Sequence, residues 1–191
     1  MRVITGSLRG RKLKALEGEE TRPTTDKIKG TIFSIIQFDI PYTRVLDLYA
    51  GSGQLGIEAL SRGANSAVFV ERARDAVGII KENVKACNLG DKSKIITTDA
   101  INYLKMAASG REKFDIILMD PPYEEGLTEK SLELCEPVMS DRCIVVCEHE
   151  AKLVLPEKFA GLRLRKRYSC GKKTALSVFI KDDGEAESDE Q

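Results

Sequence analysis

From Arg44 onward, short apolar runs alternate with longer amphipathic stretches. RVLDLYA, SAVFVE, KIITTD, FDIILMD and RCIVVCEH read as strands, since β-branched and other apolar residues follow one another with little polar interruption, as in strands buried on both faces. Between them, QLGIEALSRG, ARDAVGIIKENVKACNLG, AINYLKMAAS and LTEKSLELCEPV repeat apolar residues at helical spacing. This rhythm predicts an α/β fold, a doubly wound and mostly parallel sheet with helices on its faces. LRLRKRYS and ALSVFIK lie close together around Cys170-Gly171-Lys172-Lys173, too near for a helical crossover. They predict a C-terminal antiparallel hairpin, giving seven strands in the sheet.

Before Arg44 the pattern is different. RVITGSLRGRKLKAL has two short apolar-polar alternations around Gly6 to Gly10 and predicts a small basic β-hairpin over residues 1–15. The segment from Thr25 to Phe38 places Ile28, Ile32, Phe33, Ile35 and Ile36 on one helical face, with Thr24 or Thr25 as N-cap and Pro41 closing the helix.

Composition narrows the class. The chain has 191 residues, 42% hydrophobic and 31% charged, which suits one soluble globular domain over residues 1–181. No apolar run approaches the ~20 residues of a membrane span and Met1 to Gly6 does not begin a signal peptide, so a cytoplasmic protein is expected. The net charge of zero conceals an asymmetry: six acids follow Lys181, leaving the preceding residues at +6. That like-charge end, residues 182–191, predicts a disordered acidic tail. Five cysteines without a CxxC pair, beside the lone His149, predict reduced, packed thiols and no metal site.

The first strand runs into Asp47-Leu48-Tyr49-Ala50-Gly51-Ser52-Gly53-Gln54-Leu55-Gly56, whose last six residues satisfy GxGxxG. Such glycines let the backbone turn sharply and approach a nucleotide-like ligand at a helix N-terminus, and alone they suit several cofactors or an empty tight turn. Asp47 discriminates among these. A buried carboxylate would repel a pyrophosphate but attract the ammonium and sulfonium charges of S-adenosylmethionine. Glu71, ending the second strand, can accept from both ribose hydroxyls of either ligand type. Asp99, ending the third, can accept from an adenine amino group or cap the following helix.

Asp120-Pro121-Pro122-Tyr123 follows the fourth strand and should face the cofactor loop, since ligands of such sheets bind beyond the carboxyl ends of the strands. An exocyclic base amine is a poor nucleophile because its lone pair is delocalised into the ring. Asp120 and the Pro121 carbonyl can hold its two hydrogens while the Tyr123 ring stacks on the base and fixes its plane. Pro121 and Pro122 restrict the loop so that the carbonyl stays aimed. Asp120 can also take up the proton lost after attack, acting with water.

RVITGSLRGRKL, Arg22-Pro23-Thr24-Thr25-Asp26 with Phe33, DLYAGSGQLGIEALSRGA with Val70-Glu71, and DPPY together resemble the bacterial 16S ribosomal RNA guanine-N2 methyltransferases, from about Arg2 to Lys181. The resemblance implies a Rossmann-like methyltransferase fold, S-adenosylmethionine as donor and a guanine of 16S ribosomal RNA as acceptor. It implies cofactor contacts at Asp47, Tyr49, Ala50, Gly51, Ser52, Gly53, Glu71, Arg72, Asp99 and Ala100, and base contacts at Asp120, Pro121, Pro122 and Tyr123. At Lys29-Gly30 the chain departs from the family's Arg-Glu, and Gly30 disfavours a helix by roughly 1 kcal/mol relative to Ala.

Two basic stretches are candidates for RNA phosphates. Arg2, Arg9, Arg11, Lys12 and Lys14 form one, and Arg163, Arg165, Lys166, Arg167, Lys172 and Lys173 the other. Either could also be a solvated face. Arg22 is a further candidate, or orders the loop before the first helix. The expected partner is 16S ribosomal RNA or the small ribosomal subunit, met by a monomer without membrane or metal. Rival readings are a DNA adenine or cytosine amino-methyltransferase, a non-catalytic RNA-binding relative and, more distantly, an NAD-type oxidoreductase.

Overall fold

The structure is a computed structural model and describes residues 1–16, 23–124 and 126–182. Its centre is an eight-stranded sheet. In chain order the strands are β1 (Arg44–Leu48), β2 (Ser66–Glu71), β3 (Ser93–Thr97), β4 (Phe114–Met119), β5 (Met139–Glu150), β6 (Lys158–Phe159), β7 (Leu162–Ser169) and β8 (Thr174–Lys181). The spatial order is β3-β2-β1-β4-β5-β8-β7-β6. The first five are parallel, and β8 pairs antiparallel with both β5 and β7. The order reverses between β1 and β4, the switch point at which doubly wound sheets open a crevice for ligand. Seven of these strands match the apolar runs of the sequence; the eighth, β6, is two residues long and extends the edge beside β7.

The helices are α1 (Pro23–Ile35), α2 (Gln54–Ser61), α3 (Arg74–Ala86), α4 (Ala100–Ser109) and α5 (Leu127–Glu133). On one face of the sheet, α1 contributes Ile28, Ile32 and Phe33, α2 Ile57 and Leu60, and α3 Ile80 and Val84, packed against Val45, Phe69, Ile116, Leu118 and Val146. On the other, α4 and α5 set Tyr103, Leu104 and Leu132 against Leu46, Leu48, Ile117, Met119 and Val145. Successive strand residues therefore serve opposite cores, so β1, β2, β4 and β5 are apolar along their length.

Two local expectations need correction. Helix α1 begins at Pro23, so Thr24 and Thr25 lie within its first turn rather than at the cap. A proline's fixed φ and missing N–H suit the first helical position. The same helix ends at Ile35 and the chain turns through residues 37–39, so Pro41 is not its stop. The N-terminal segment closes as a hairpin, with the antiparallel bridge Arg2–Lys12 and the Val3, Gly10 and Leu13 amides donating across it, while other amides near its turn dock it on α2. Ile4 and Thr5 donate to the Glu58 carboxylate at 2.7 and 3.0 Å, and Ser7 donates to the Ser61 carbonyl at 2.8 Å. Gly6 packs so tightly there that a Cβ would lie 1.9 Å from that carbonyl oxygen.

The Lys29-Gly30 departure is accommodated. Lys29 is fully buried, its Nζ donating to the Arg2 carbonyl at 2.7 Å, while Gly30 faces open space and α1 runs through it. All five cysteines are free thiols, and four of them are buried. His149 is a core residue whose Nε2 lies 2.9 Å from the Ser177 hydroxyl, and burial lowers its pKa. The acidic end from residue 183 lies outside the described residues.

Candidate active site

The chain leaves β1 through a turn built on left-handed backbone. Tyr49 has φ 61°, Gly51 54° and Gly53 79°. Tyr49 carries a side chain in a region that L-residues rarely adopt, and its hydroxyl is tied to the Ser131 hydroxyl of α5 at 2.7 Å. Gly53 sits at the N-cap of α2 and Ala50 accepts its N–H at 2.7 Å. The third glycine of the motif has a packing role: a Cβ on Gly56 would lie 2.3 Å from the Phe69 ring.

Glu71 holds this turn in place. One carboxylate oxygen accepts the Gly51 N–H at 2.9 Å and the other the Ala73 N–H at 2.8 Å, each keeping capacity for a further donor. Ser52 is buried, and its carbonyl accepts from the Asn83 amide at 2.9 Å. Asn83 also exchanges bonds with the backbone of Lys14, so one buried amide joins the glycine loop to the N-terminal segment. Pattern reading passed over Asn83; the available signal was a polar residue among the core-facing positions of α3.

Asp47 is 1% exposed and accepts one bond, from the Gly56 N–H at 2.8 Å. Desolvation, then the charges of Asp120 and Glu71, push its pKa up to about 8. Asp99 caps α4 by accepting from the Asn102 N–H at 2.9 Å, with Ala100 buried behind it. Arg72 pairs with Glu124 at 3.5 Å, linking the end of β2 to the segment after the proline loop.

In that loop Asp120 is exposed, Pro121 buried and Pro122 exposed, and the Pro122 carbonyl accepts the Glu124 N–H at 2.7 Å. Tyr123 is 54% exposed, its hydroxyl 3.3 Å from that of Thr174 at the start of β8. Desolvation raises its pKa. The side chain is thus partly exposed at the rim while its hydroxyl is tethered to β8.

The rim holds one more acid. Glu148 lies near the end of β5 and its pKa is raised, by burial first and by Asp120 second. It was legible as the fifth acid to close a parallel strand, after Asp47, Glu71, Asp99 and Asp120, but the sequence reading stopped at the fourth.

The basic candidates divide. Lys172 and Lys173 are exposed in the β7–β8 turn, next to Thr174 and so on the Tyr123 side. The Arg11 guanidinium bonds to the Ala86 carbonyl at the end of α3, and Lys14 pairs with Glu82. Arg9 sits in the hairpin turn that docks on Ser61, the far end of α2, about 12 Å from its start at ~1.5 Å per residue. Lys12 is exposed beside Arg2. Arg22 lies outside the described residues.

The model of the family described as Conserved hypothetical protein 95 matches residues 1–179. The chain belongs to this family. It is 30% identical over 192 residues to the protein named ribosomal RNA small subunit methyltransferase D of Escherichia coli strain K12, covering 99% of this chain and 94% of that one. The Haemophilus influenzae protein of the same name is 33% identical over 168 residues, covering 85% and 86%. Among solved structures, the Escherichia coli protein yhhF superposes with a TM-score of 0.83 at 30% identity, covering 95% of this chain and 98% of that one. The Thermus thermophilus protein TTHA0928 gives 0.79 at 27%, covering 95% and 99%. Both likenesses cover 95% of this chain.

Proposed function

We propose that the chain transfers a methyl group from S-adenosylmethionine to the exocyclic N2 amine of a guanine in 16S ribosomal RNA. The observation that carries this reading is the buried Asp47 carboxyl, bonded only to the Gly56 N–H of the glycine loop, whose pKa is raised by desolvation first and then by the charges of Asp120 and Glu71, with no cation among the causes. A pyrophosphate would add to that repulsion, whereas the ammonium and sulfonium of S-adenosylmethionine relieve it. The residues therefore fit this cofactor and not a dinucleotide. Relatives named as small-subunit ribosomal RNA methyltransferases support the acceptor class.

Gly51 and Gly53 allow close backbone approach and Glu71 retains acceptor capacity for ribose hydroxyls. Asp99, with Ala100, borders the adenine end. When bound, the cofactor supplies an electrophilic methyl. Asp120 and the Pro121 carbonyl accept the two amine hydrogens and turn the nitrogen lone pair toward that methyl, while Tyr123 stacks on the base. The amine sheds a proton when it is methylated, and Asp120 would take up that proton or pass it to water. Lys172 and Lys173 flank the base site for RNA phosphates, and Arg9, Arg11 and Lys12 extend a cationic surface about a helix length away.

Labelled methyl transfer to unmodified small ribosomal subunits, run beside plain DNA and followed by nucleoside analysis, tests the proposal. N2-methylguanosine in the RNA is the expected product. Label in DNA adenine or cytosine, or in no nucleic acid, would overturn it.

A further inference from the structure

Strands β4 and β5 run parallel with Met119 opposite Cys147, so Asp120, just past the end of β4, comes beside Glu148, which continues β5 opposite Leu176 of β8. Leu118 and Val146, two positions earlier on each strand, both belong to the core beneath α1, so Asp120 and Glu148 project toward that same face. Glu148 is half-buried, and among the described residues its carboxyl enters no hydrogen bond or ion pair. It sits on β5 opposite Leu176 of β8, two residues from Thr174, whose hydroxyl lies 3.3 Å from that of Tyr123, so it stands between the proline loop and the β7–β8 turn. Setting a half-buried acid beside another acid is unfavourable for the fold alone, and two acceptors at a base site imply a ligand edge with more than one donor.

We propose that Glu148 is the specificity-determining residue for guanine, accepting the N1–H of the target base while Asp120 and the Pro121 carbonyl hold the N2 hydrogens. This rests on the guanine-N2 reading above. Guanine carries a ring N–H next to the amine to be methylated, whereas adenine and cytosine present a bare ring nitrogen lone pair in the corresponding place. A carboxyl oxygen directed there bonds guanine and repels the other two. The incoming donors also separate the two acids, so binding the correct base removes a repulsion present in the free protein.

The test uses small-subunit RNA in which the target guanine, mapped by nucleoside analysis of the wild-type product, is replaced by 2-aminopurine. This analogue keeps the 2-amino group and lacks the N1–H. The readout is the ratio of kcat/KM for the two substrates. Wild type should prefer guanine by roughly 10- to 100-fold, the usual range for one good base-edge contact. In Glu148→Ala the ratio should fall to within about threefold, by loss of guanine activity rather than of 2-aminopurine activity. Glu148→Gln, whose Oε1 still accepts, should keep a preference above about tenfold. Cofactor affinity measured by calorimetry should stay within about twofold of wild type in each variant; should alanine disturb it, Glu148→Met gives the same comparison with a side chain of similar length. A wild-type ratio in the folded alanine or methionine variant overturns the role of Glu148. A wild-type product other than N2-methylguanosine overturns the guanine reading itself, before any variant is made.

Discussion

Asp47 and Glu58 are both buried acids on the α1 side of the sheet, one at the end of β1 and the other inside α2, yet they live in opposite company. Glu58 is 0% exposed, and its carboxylate accepts from the Ile4 and Thr5 amides and from Arg62 Nε at 2.8 Å. The Arg62 guanidinium in turn covers the Phe33 ring at 4.8 Å. Asp47 has one backbone donor and two acidic neighbours. The contrast extends to their regions. Around Glu58 the N-terminal segment, α1 and α2 satisfy one another, so the charges there hold the fold. Along the rim of Asp47, Glu71, Asp120 and Glu148, acids gather at neighbouring strand ends, Glu71 holding two backbone amides and Asp47 one, an arrangement that suits the cationic cofactor and donor-rich base of the proposed function.

Substitutions on either side should separate these roles. Asp120→Ala is expected to lower kcat by about 100- to 10,000-fold while calorimetry finds cofactor binding retained; wild-type turnover would remove Asp120 from the reaction. Glu58→Ala strands Arg62 and two backbone amides, so urea denaturation should register a loss of about 3–5 kcal/mol. Its folded fraction should keep its methyl-transfer rate, and a catalytic defect without a stability defect would reverse the assignment.

Smaller effects sharpen the picture. Tyr123→Ala should cost about 1–3 kcal/mol of transition-state stabilisation in kcat/KM and Tyr123→Phe little, because stacking needs the ring and not the hydroxyl. Asp47 makes the ligand-free protein pH-sensitive. Its folded pKa of about 8 lies above the ~4 of an unfolded aspartate, so the folded state holds the extra proton, and stability should fall as pH rises from about 4 to 8. A slope approaching ~1.4 kcal/mol per pH unit, flattened in Asp47→Asn, is the expected Tm-monitored result. Cofactor affinity should strengthen over the same window as the carboxyl ionises, and a flat profile would show that the cofactor's charge does not reach Asp47. Lys14→Ala breaks an exposed pair with Glu82 and should change stability by less than about 1 kcal/mol.

Much of this was legible in the chain itself. The alternation of apolar runs and helical spacing specified the parallel strands and their order of appearance, because burial on both faces leaves a composition that solvent-exposed segments lack. The glycine loop and the four acids from Asp47 to Asp120 were readable because each closes a strand. The N-terminal segment was legible only in part: its alternation and glycines point to the hairpin, but not to the docking of the Ile4, Thr5, Ser7 and Leu8 amides on α2 or of Arg11 on the last carbonyl of α3. Letters alone do not show which partner a backbone amide finds.

The sequence by itself therefore determined the strands, the helices and the loops that leave the strand ends, since these depend on local periodicity and on residue types fixed by backbone geometry. Only the tertiary structure decided that Glu148 stands beside Asp120, that Asn83 ties Lys14 to Ser52, and that Glu58 anchors the N-terminus. Each of those relations joins residues distant in the chain, and the energy of a charge or an amide is set by what surrounds it in space.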